Sequence, residues 1–316
     1  MELRKIGGSE LRVSAVGLGC NNFALRCDFE QSRAVVDQAI ASGITLFDTA
    51  DNYGNRGGSE EFLGRILGPR RRDVVIATKF GRPMDDAGLL KGASRGYVMT
   101  AVEASLKRLK TDWIDLYQLH WPDPETPIEE TLRALDDLVR QGKVRYIGAS
   151  NFTAADVLAA DRIARANGLH RFVSTQSEYS LLARGVEREL IPALASCGVG
   201  LLPYFPLAAG LLTGKYRPGN VPEGSRLATP RPHERAFITA ANWPAVARLD
   251  EFARSREHTL LELAFSWLLA QPTVASVIAG ATRPEQVVQN VATAEWRLSF
   301  EEAAEAGRLA SADTGP

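Results

Sequence analysis

The run Ile44-Thr45-Leu46-Phe47 is β-branched and aromatic, the composition of a buried strand, and it breaks at Asp48 into Thr49, Asp51, Asn52, Tyr53 and Gly54. A strand that ends in ionisable groups presents them at its carboxyl end, where parallel α/β folds build their sites. The same break recurs along the chain. DVVIAT ends in Lys79, WIDLYQL in His120, VRYIGA in Ser150 and Asn151, FVST in Gln176, and VGLLP in Tyr204. Each residue alone has an ordinary explanation. A lysine at a strand end is usually a solvated charge, and a histidine after an apolar run is more often a hydrogen-bonded core residue than a catalyst. Together they point to one mouth, where adjacent strands bring Asp48, Tyr53, Lys79 and His120 within contact distance.

That grouping has a definite chemistry. A free phenol ionises near pH ~10 and is a poor acid at neutral pH. An adjacent ammonium favours phenolate and lowers that value, and a carboxylate paired with the ammonium fixes its position. His120 then orients or donates to a carbonyl oxygen held between itself and Tyr53. This is a proton relay for reducing a carbonyl, and its hydride must come from elsewhere. No His, Cys, Asp and Glu grouping has metal-ligand spacing, which disfavours a metal-assisted hydrolase.

The elements that must position these residues alternate. Short apolar strands fall at 44–48, 73–79, 114–119, 144–149, 172–176, 199–204 and 274–279, with Val16-Gly17-Leu18-Gly19-Cys20 as the first. Helical periodicity fills the intervals near 30–42, 58–67, 95–110, 128–141, 153–167, 185–197, 258–270 and 284–294. Thr153 reads as a helix cap, and Gly43 and Gly142 as helix ends. Eight such units close into an α/β fold, a (β/α)8 TIM barrel. Residues 3–14 read as a β-hairpin before it, 215–244 as a long Pro- and Gly-rich loop, and 299–311 as an additional C-terminal helix. No linker-like composition interrupts residues 1–316, so the chain reads as one domain.

Two glycine patterns are weak. Gly17-x-Gly19 has Asn22 where a dinucleotide fingerprint needs its third glycine, so it reads as close packing at a strand end. Gly210-x-x-x-Gly214-Lys215 is one residue short of a phosphate-binding loop and lacks its Ser or Thr, which excludes that mode of ATP binding.

The chain is 45% hydrophobic and 24% charged over 316 residues, enough apolar material for a large core. A net charge of −1 gives no electrostatic footprint for nucleic acid or an anionic membrane. Arg70-Arg71-Arg72 reads as a solvated turn before a strand. Three cysteines without a C-x-x-C fit a reduced compartment. The N-terminus lacks a signal-peptide core and no apolar run reaches membrane-spanning length, so the expectation is a cytoplasmic protein. Nothing in the composition specifies an oligomeric state.

GITLFDTADNYG, IATKFG, DLYQLHWPDP, VRYIGASNF, TQSEYS, PLAAGLLTGKY and VIAGATRPEQVVQN occur in this order. In these stretches the chain resembles the aldo-keto reductase family over essentially its whole length, and is similar to its NADP-dependent, bacterial-type members. The resemblance implies that Asp48, Tyr53, Lys79 and His120 form the catalytic tetrad of an aldehyde or ketone reductase. It implies an extended nicotinamide dinucleotide, NADP with NAD possible, bound without a Rossmann domain. Ser150, Asn151 and Gln176 would hydrogen-bond its carboxamide, since each amide side chain offers donor and acceptor, and Tyr204 would stack on the ring. Pro206, Leu207, Gly210, Leu212, Gly214 and Lys215 match the segment that wraps the pyrophosphate. At the adenosine end the chain departs from many members. Gly280, Ala281 and Gln286 stand where Lys, Ser and Arg often surround a 2′-phosphate, while Thr282 and Arg283 remain and Arg suits a phosphate. Gln289 and Asn290 match positions facing adenine. Phe23 and Trp121, with Phe205 as a third candidate, are expected to line the mouth for a small-molecule carbonyl substrate. Phe205 also stands where many relatives have Ser.

The alternative reading is a nucleotide-binding regulatory subunit with little turnover, because the beta subunits of voltage-gated potassium channels share this fold and tetrad. The chain begins almost at the hairpin, with no long extension to act on a channel, which favours an enzyme.

Overall fold

Short runs of Val, Ile, Leu and Phe between polar turns become parallel strands here because a helix follows nearly every one and returns the chain to the same end. The computed structural model describes residues 1–311. The chain opens with β1 (Leu3–Lys5) and β2 (Arg12–Ser14), which pair antiparallel. The main sheet begins with β3 (Val16–Gly19), α1 (Phe29–Ala41), β4 (Leu46–Asp48), α2 (Tyr53–Leu67) and β5 (Val75–Phe80). It continues through α3 (Arg95–Leu109), β6 (Ile114–Leu119), α4 (Ile128–Arg140), β7 (Val144–Ser150) and α5 (Ala154–Ala166). Then come β8 (Phe172–Glu178), α6 (Leu190–Cys197), β9 (Gly200–Tyr204), α7 (Pro232–Arg235), α8 (Asn242–Arg254) and α9 (Leu260–Leu269). The last elements are β10 (Val277–Gly280), α10 (Pro284–Ala292) and α11 (Phe300–Ser311).

The eight-stranded sheet has the order β10-β3-β4-β5-β6-β7-β8-β9, with every pairing parallel. Its two edges meet where Leu201 N donates to Thr273 O at 2.7 Å and Ala275 N to Leu201 O at 3.0 Å. The result is a nearly closed (β/α)8 barrel with an N-terminal hairpin and extra C-terminal helices.

Because side chains alternate across a strand, residues two apart share a face. Leu46, Ala77, Leu116 and Leu202 form a buried apolar layer inside the barrel. Two residues further along the same strands stand Asp48, Lys79, Gln118 and Tyr204. The interior therefore changes from hydrocarbon to polar over one step of the pleat. Below the apolar layer, Ile6, Leu11 and Val13 of the hairpin join the same cluster and close the floor.

Helix starts follow their caps. Asp28, Thr153 and Thr259 each close a capping box at the head of α1, α5 and α9. The segment 215–244 is less loop-like than its composition suggests. It carries a 3-10 turn at Arg226–Ala228, then α7, and α8 begins inside it. Composition does not announce α8 because Asn242 and Pro244 stand in its first turn; a proline there sacrifices no intrahelical bond, and Val246, Leu249 and Phe252 form its buried face. The arginine turn also differs from expectation. Arg71 is buried, ion-paired to Asp115 at 2.7 Å and hydrogen-bonded to Trp113 O at 2.9 Å, so only its neighbours meet solvent.

Gly7 sits at φ +54°, and a Cβ there would lie 2.4 Å from Gly198 O and 2.6 Å from Gly200 N, at the start of β9. Gly7→Ala is expected to cost about 2 kcal/mol or more through strain and overpacking at the floor. Urea unfolding checks this, and an unchanged midpoint would show that the floor yields.

Candidate active site

The C-terminal rim is built from strand ends whose inward faces are already fixed by the pleat. β4 and β5 pair in register, and Lys79 and Asp48 reach toward each other across the inner face. Lys79 Nζ lies 2.7 Å from Asp48 Oδ2, 2.9 Å from the Thr49 carbonyl oxygen and 3.4 Å from the Tyr53 hydroxyl. Lys79 has no accessible surface. Gln176 Nε2, from the far side of the barrel, donates to the other Asp48 oxygen at 2.8 Å. The Tyr53 and His120 rings meet edge to face, 5.7 Å between centroids. All four residues expected to meet at the mouth do so.

Tyr53 opens α2, and the four residues after it, Gly54 to Gly57, run left-handed before the regular helix begins. Gly54 is dictated by space as well as by its φ of +67°, since a Cβ would stand 2.6 Å from both Phe23 O and Ser59 N. Behind this loop Glu60, fully buried, accepts from Thr78 Oγ1 at 2.5 Å and Arg108 Nε at 2.7 Å. Arg108 also packs against Gly57, where a Cβ would stand 2.6 Å from its Cδ, so the loop that carries Tyr53 is backed by an ion pair.

The electrostatics depart from the sequence expectation in one respect. Burial pushes the Tyr53 phenol above its usual value, Lys79 pulls it down, and Asp48 adds to the rise; the net direction is upward. The ammonium therefore offsets part of the burial cost without producing phenolate, and the hydroxyl keeps its proton. Burial also opposes charge on Lys79, but Asp48 and Tyr53 outweigh it and hold the ammonium charged. At His120, burial, then the positive charges of Lys79 and Arg82, push the imidazole well below its usual value. The ring is neutral, with Nδ1 buried and without a partner among the described residues.

Beside this cluster runs a strip of amide and hydroxyl groups. Asn151, left-handed at φ +60°, donates through Nδ2 to His120 O at 3.0 Å and Ser150 Oγ at 3.1 Å, and accepts from the Tyr204 hydroxyl at 2.8 Å. Ser150 Oγ donates to Gln176 O at 3.0 Å. Ser150, Asn151, Gln176 and Tyr204 therefore form one connected network.

After β9 the backbone turns left-handed at Phe205, Ala208, Ala209, Gly210 and Gly214. Pro206 is buried, Leu207 and Gly210 are half-buried, and Lys215 is exposed beside the Tyr216 ring. Leu212 is different. Its side chain is in the core and its amide already donates to Leu207 O at 3.2 Å, so its part in this segment is packing. At the head of α10, Gly280 and Arg283 are exposed, Gln286 Oε1 accepts from Thr282 N at 2.8 Å, Gln289 faces solvent and Asn290 is buried. Arg283 has no partner among the described residues.

Trp121 is 48% exposed at the mouth. Phe23, expected beside it, is wholly buried in the main core, because the turn around it folds back through Phe23 N to Cys20 O and Ala24 N to Cys27 O. It supplies packing under Gly54 and no lining surface.

Two buried groups went unassigned in the sequence. Gln118 stands in register with Lys79 on the inward face, and neither atom of its amide has a partner among the described residues. Its period-two offset from Leu116 was the available signal. Asp51 is buried, both its carboxyl oxygens lack partners among the described residues, and burial together with Glu60 pushes it well above the carboxylate range. Its backbone amide donates to Lys79 O at 3.0 Å, and no local pattern announces the burial of its carboxyl.

An eight-stranded parallel barrel whose rim joins a buried Lys–Asp pair to a phenol and a neutral imidazole has the construction of a barrel oxidoreductase. The chain belongs to the aldo/keto reductase family, whose sequence profile matches residues 15–310. It is 36% identical over 302 residues to the L-glyceraldehyde 3-phosphate reductase of Escherichia coli K12, covering 92% of this chain and 87% of that one. It is 34% identical over 329 residues to the versiconal hemiacetal acetate reductase of Aspergillus parasiticus, covering 96% and 95%. It is also 36% identical over 301 residues to a probable voltage-gated potassium channel subunit beta of Oryza sativa subsp. japonica, covering 92% and 90%.

The depressed His120 value has a definite sign. The unfolded histidine binds its proton near pH ~6.5, while the folded one resists it. The associated stability is whole above that value and drains away as pH falls toward the folded one. An NMR titration is expected to leave the His120 ring signal at its neutral position from pH ~8 down through ~6.5; a midpoint near the unfolded value would contradict the burial argument.

Proposed function

We propose that the protein reduces aldehyde or ketone carbonyls to alcohols, with NADP(H) as its preferred dinucleotide and NAD(H) as the other candidate. The observation that carries this reading is the Tyr53 hydroxyl held 3.4 Å from a fully buried, Asp48-paired ammonium, with His120 against its ring. The exposed Gly280 and the exposed Arg283 side chain, which has no ion pair among the described residues, fit an extended dinucleotide, since an arginine suits a phosphate. Ser150, Asn151 and Gln176 would hold its carboxamide, and Tyr204 its ring.

A bound nicotinamide supplies the hydride that adds to the carbonyl carbon. Tyr53 gives its proton to the carbonyl oxygen, and in the reverse direction takes it back. Lys79 stabilises the phenolate left behind, and Asp48 keeps Lys79 in place. His120, neutral, has one N–H to donate and orients the oxygen without competing as an acid. Trp121 covers one wall against water. The names of the bacterial and fungal reductases among the relatives support a carbonyl substrate. No helix among the described residues is long and apolar enough to cross a membrane, in keeping with a cytoplasmic enzyme.

The likeness to the rice protein keeps a second reading in play, a dinucleotide-binding regulatory subunit. Both readings require the dinucleotide, and turnover separates them. Steady-state reduction of simple aldehydes supports the enzyme; tight NADPH binding with negligible turnover of a broad carbonyl panel supports the subunit.

Tyr53→Phe is expected to lower kcat by about 10²–10⁴-fold while fluorescence titration still detects the dinucleotide. Near-normal turnover in that variant would remove Tyr53 from the role. Lys79→Met is expected to erase the limb of the pH–rate profile that reports Tyr53, and an unaltered profile would uncouple the two groups. Arg283→Ala is expected to weaken NADPH by about tenfold more than NADH, the worth of one charged contact. Equal weakening of both would place the 2′-phosphate elsewhere.

A further inference from the structure

The loop that follows β5 carries, beside the catalytic mouth, a cation without an ion pair among the described residues. Arg82 is exposed just past Gly81, and its guanidinium lies 5.9 Å from the ring centroid of Trp121, itself 48% exposed. It is near enough to His120 for its charge to bear on that ring. The acidic groups around it are committed. Asp86 is paired with Arg56. Asp85 accepts from the Leu89 and Leu90 amides at 2.9 and 3.1 Å. Asp123, on the loop after Trp121, accepts from Ala93 N at 2.7 Å, Thr126 Oγ1 at 2.8 Å and Glu125 N at 3.0 Å. Among the described residues Arg82 has neither an ion pair nor a hydrogen bond.

An unpaired guanidinium on an aromatic face, at the rim of a site that takes a small carbonyl compound, is an arrangement suited to a planar or tetrahedral anion. The tetrad is already balanced by the Lys79–Asp48 pair, so an anionic tail on the substrate has no partner there. Trp121, next to His120 in the chain and under the Arg82 guanidinium, offers a flat apolar surface for the carbon chain joining carbonyl to anion. We propose that Arg82 and Trp121 form a subsite for an anionic group, a carboxylate or a phosphate ester, at the far end of the carbonyl substrate. This rests on the reductase reading and names the class of substrate that it takes.

The test compares two matched pairs of aldehydes in the presence of NADPH: 4-oxobutanoate with its methyl ester, and glycolaldehyde phosphate with glycolaldehyde. The expected result is a kcat/KM at least about tenfold higher for the charged member of one or both pairs, carried by KM, and shrinking as salt is raised. The pair that shows it distinguishes carboxylate from phosphate. Arg82→Met should lower the charged-to-neutral ratio by about tenfold or more, and Arg82→Lys should restore part of it. Reduction of the neutral aldehydes with no preference for charge, or a preference that survives Arg82→Met, overturns the subsite and leaves the reductase reading standing. Failure to reduce any of the four overturns both.

Discussion

An ammonium with no accessible surface can persist inside a protein only where a counter-charge and hydrogen-bond acceptors replace water around it. Lys79 has both, in the Asp48 carboxylate and the Thr49 carbonyl. Much of the architecture serves this one pair. The register between β4 and β5 sets its separation, Gln176 reaches across the barrel to hold the second Asp48 oxygen, and an apolar layer beneath removes competing water. The phenol is then set against a charge that cannot move. A surface lysine would be screened and mobile, and its influence on Tyr53 correspondingly weak.

Under the proposed reduction, the opposing shifts leave this centre ready to donate. Burial keeps Tyr53 protonated and His120 uncharged, so the site holds one transferable proton on oxygen and one fixed donor on nitrogen. The Lys79 charge acts most strongly once negative charge develops on Tyr53, which is the differential stabilisation that catalysis requires.

What the sequence made legible follows from where each signal originates. Asp48, Lys79, His120, Gln176 and Tyr204 stand at the ends of apolar runs, and the alternation of strands and helices forces those ends together. Gln118 obeys the same pleat but lies within its strand, where an amide reads as a polar interruption. Asp51 and Arg71 are buried within reach of Glu60 and Asp115, partners that no local spacing points to. The upward shift of Tyr53 is likewise a property of packing, whereas the ammonium that opposes it is visible as a residue type. Phe23 shows the converse error, an aromatic side chain near the mouth in sequence that the turn folds inward. α8 is hidden by composition, since Asn242 and Pro244 in its first turn look like the loop that precedes them. The fold alone leaves reductase and channel-subunit readings open, because relatives of both names match this chain equally over its length.

The β1–β2 hairpin has a consequence for the surroundings of the buried ammonium. With Ile6, Leu11 and Val13 stopping the lower end, the barrel is a blind well. Gln118, Ser174 and Ser276, whose buried polar atoms lack protein partners among the described residues, sit inside it with no drain. Lys79 meets the open side of that well through the Tyr53 hydroxyl, 3.4 Å from its Nζ. The hydroxyl proposed to serve the substrate is thus also the neighbour of the buried ammonium.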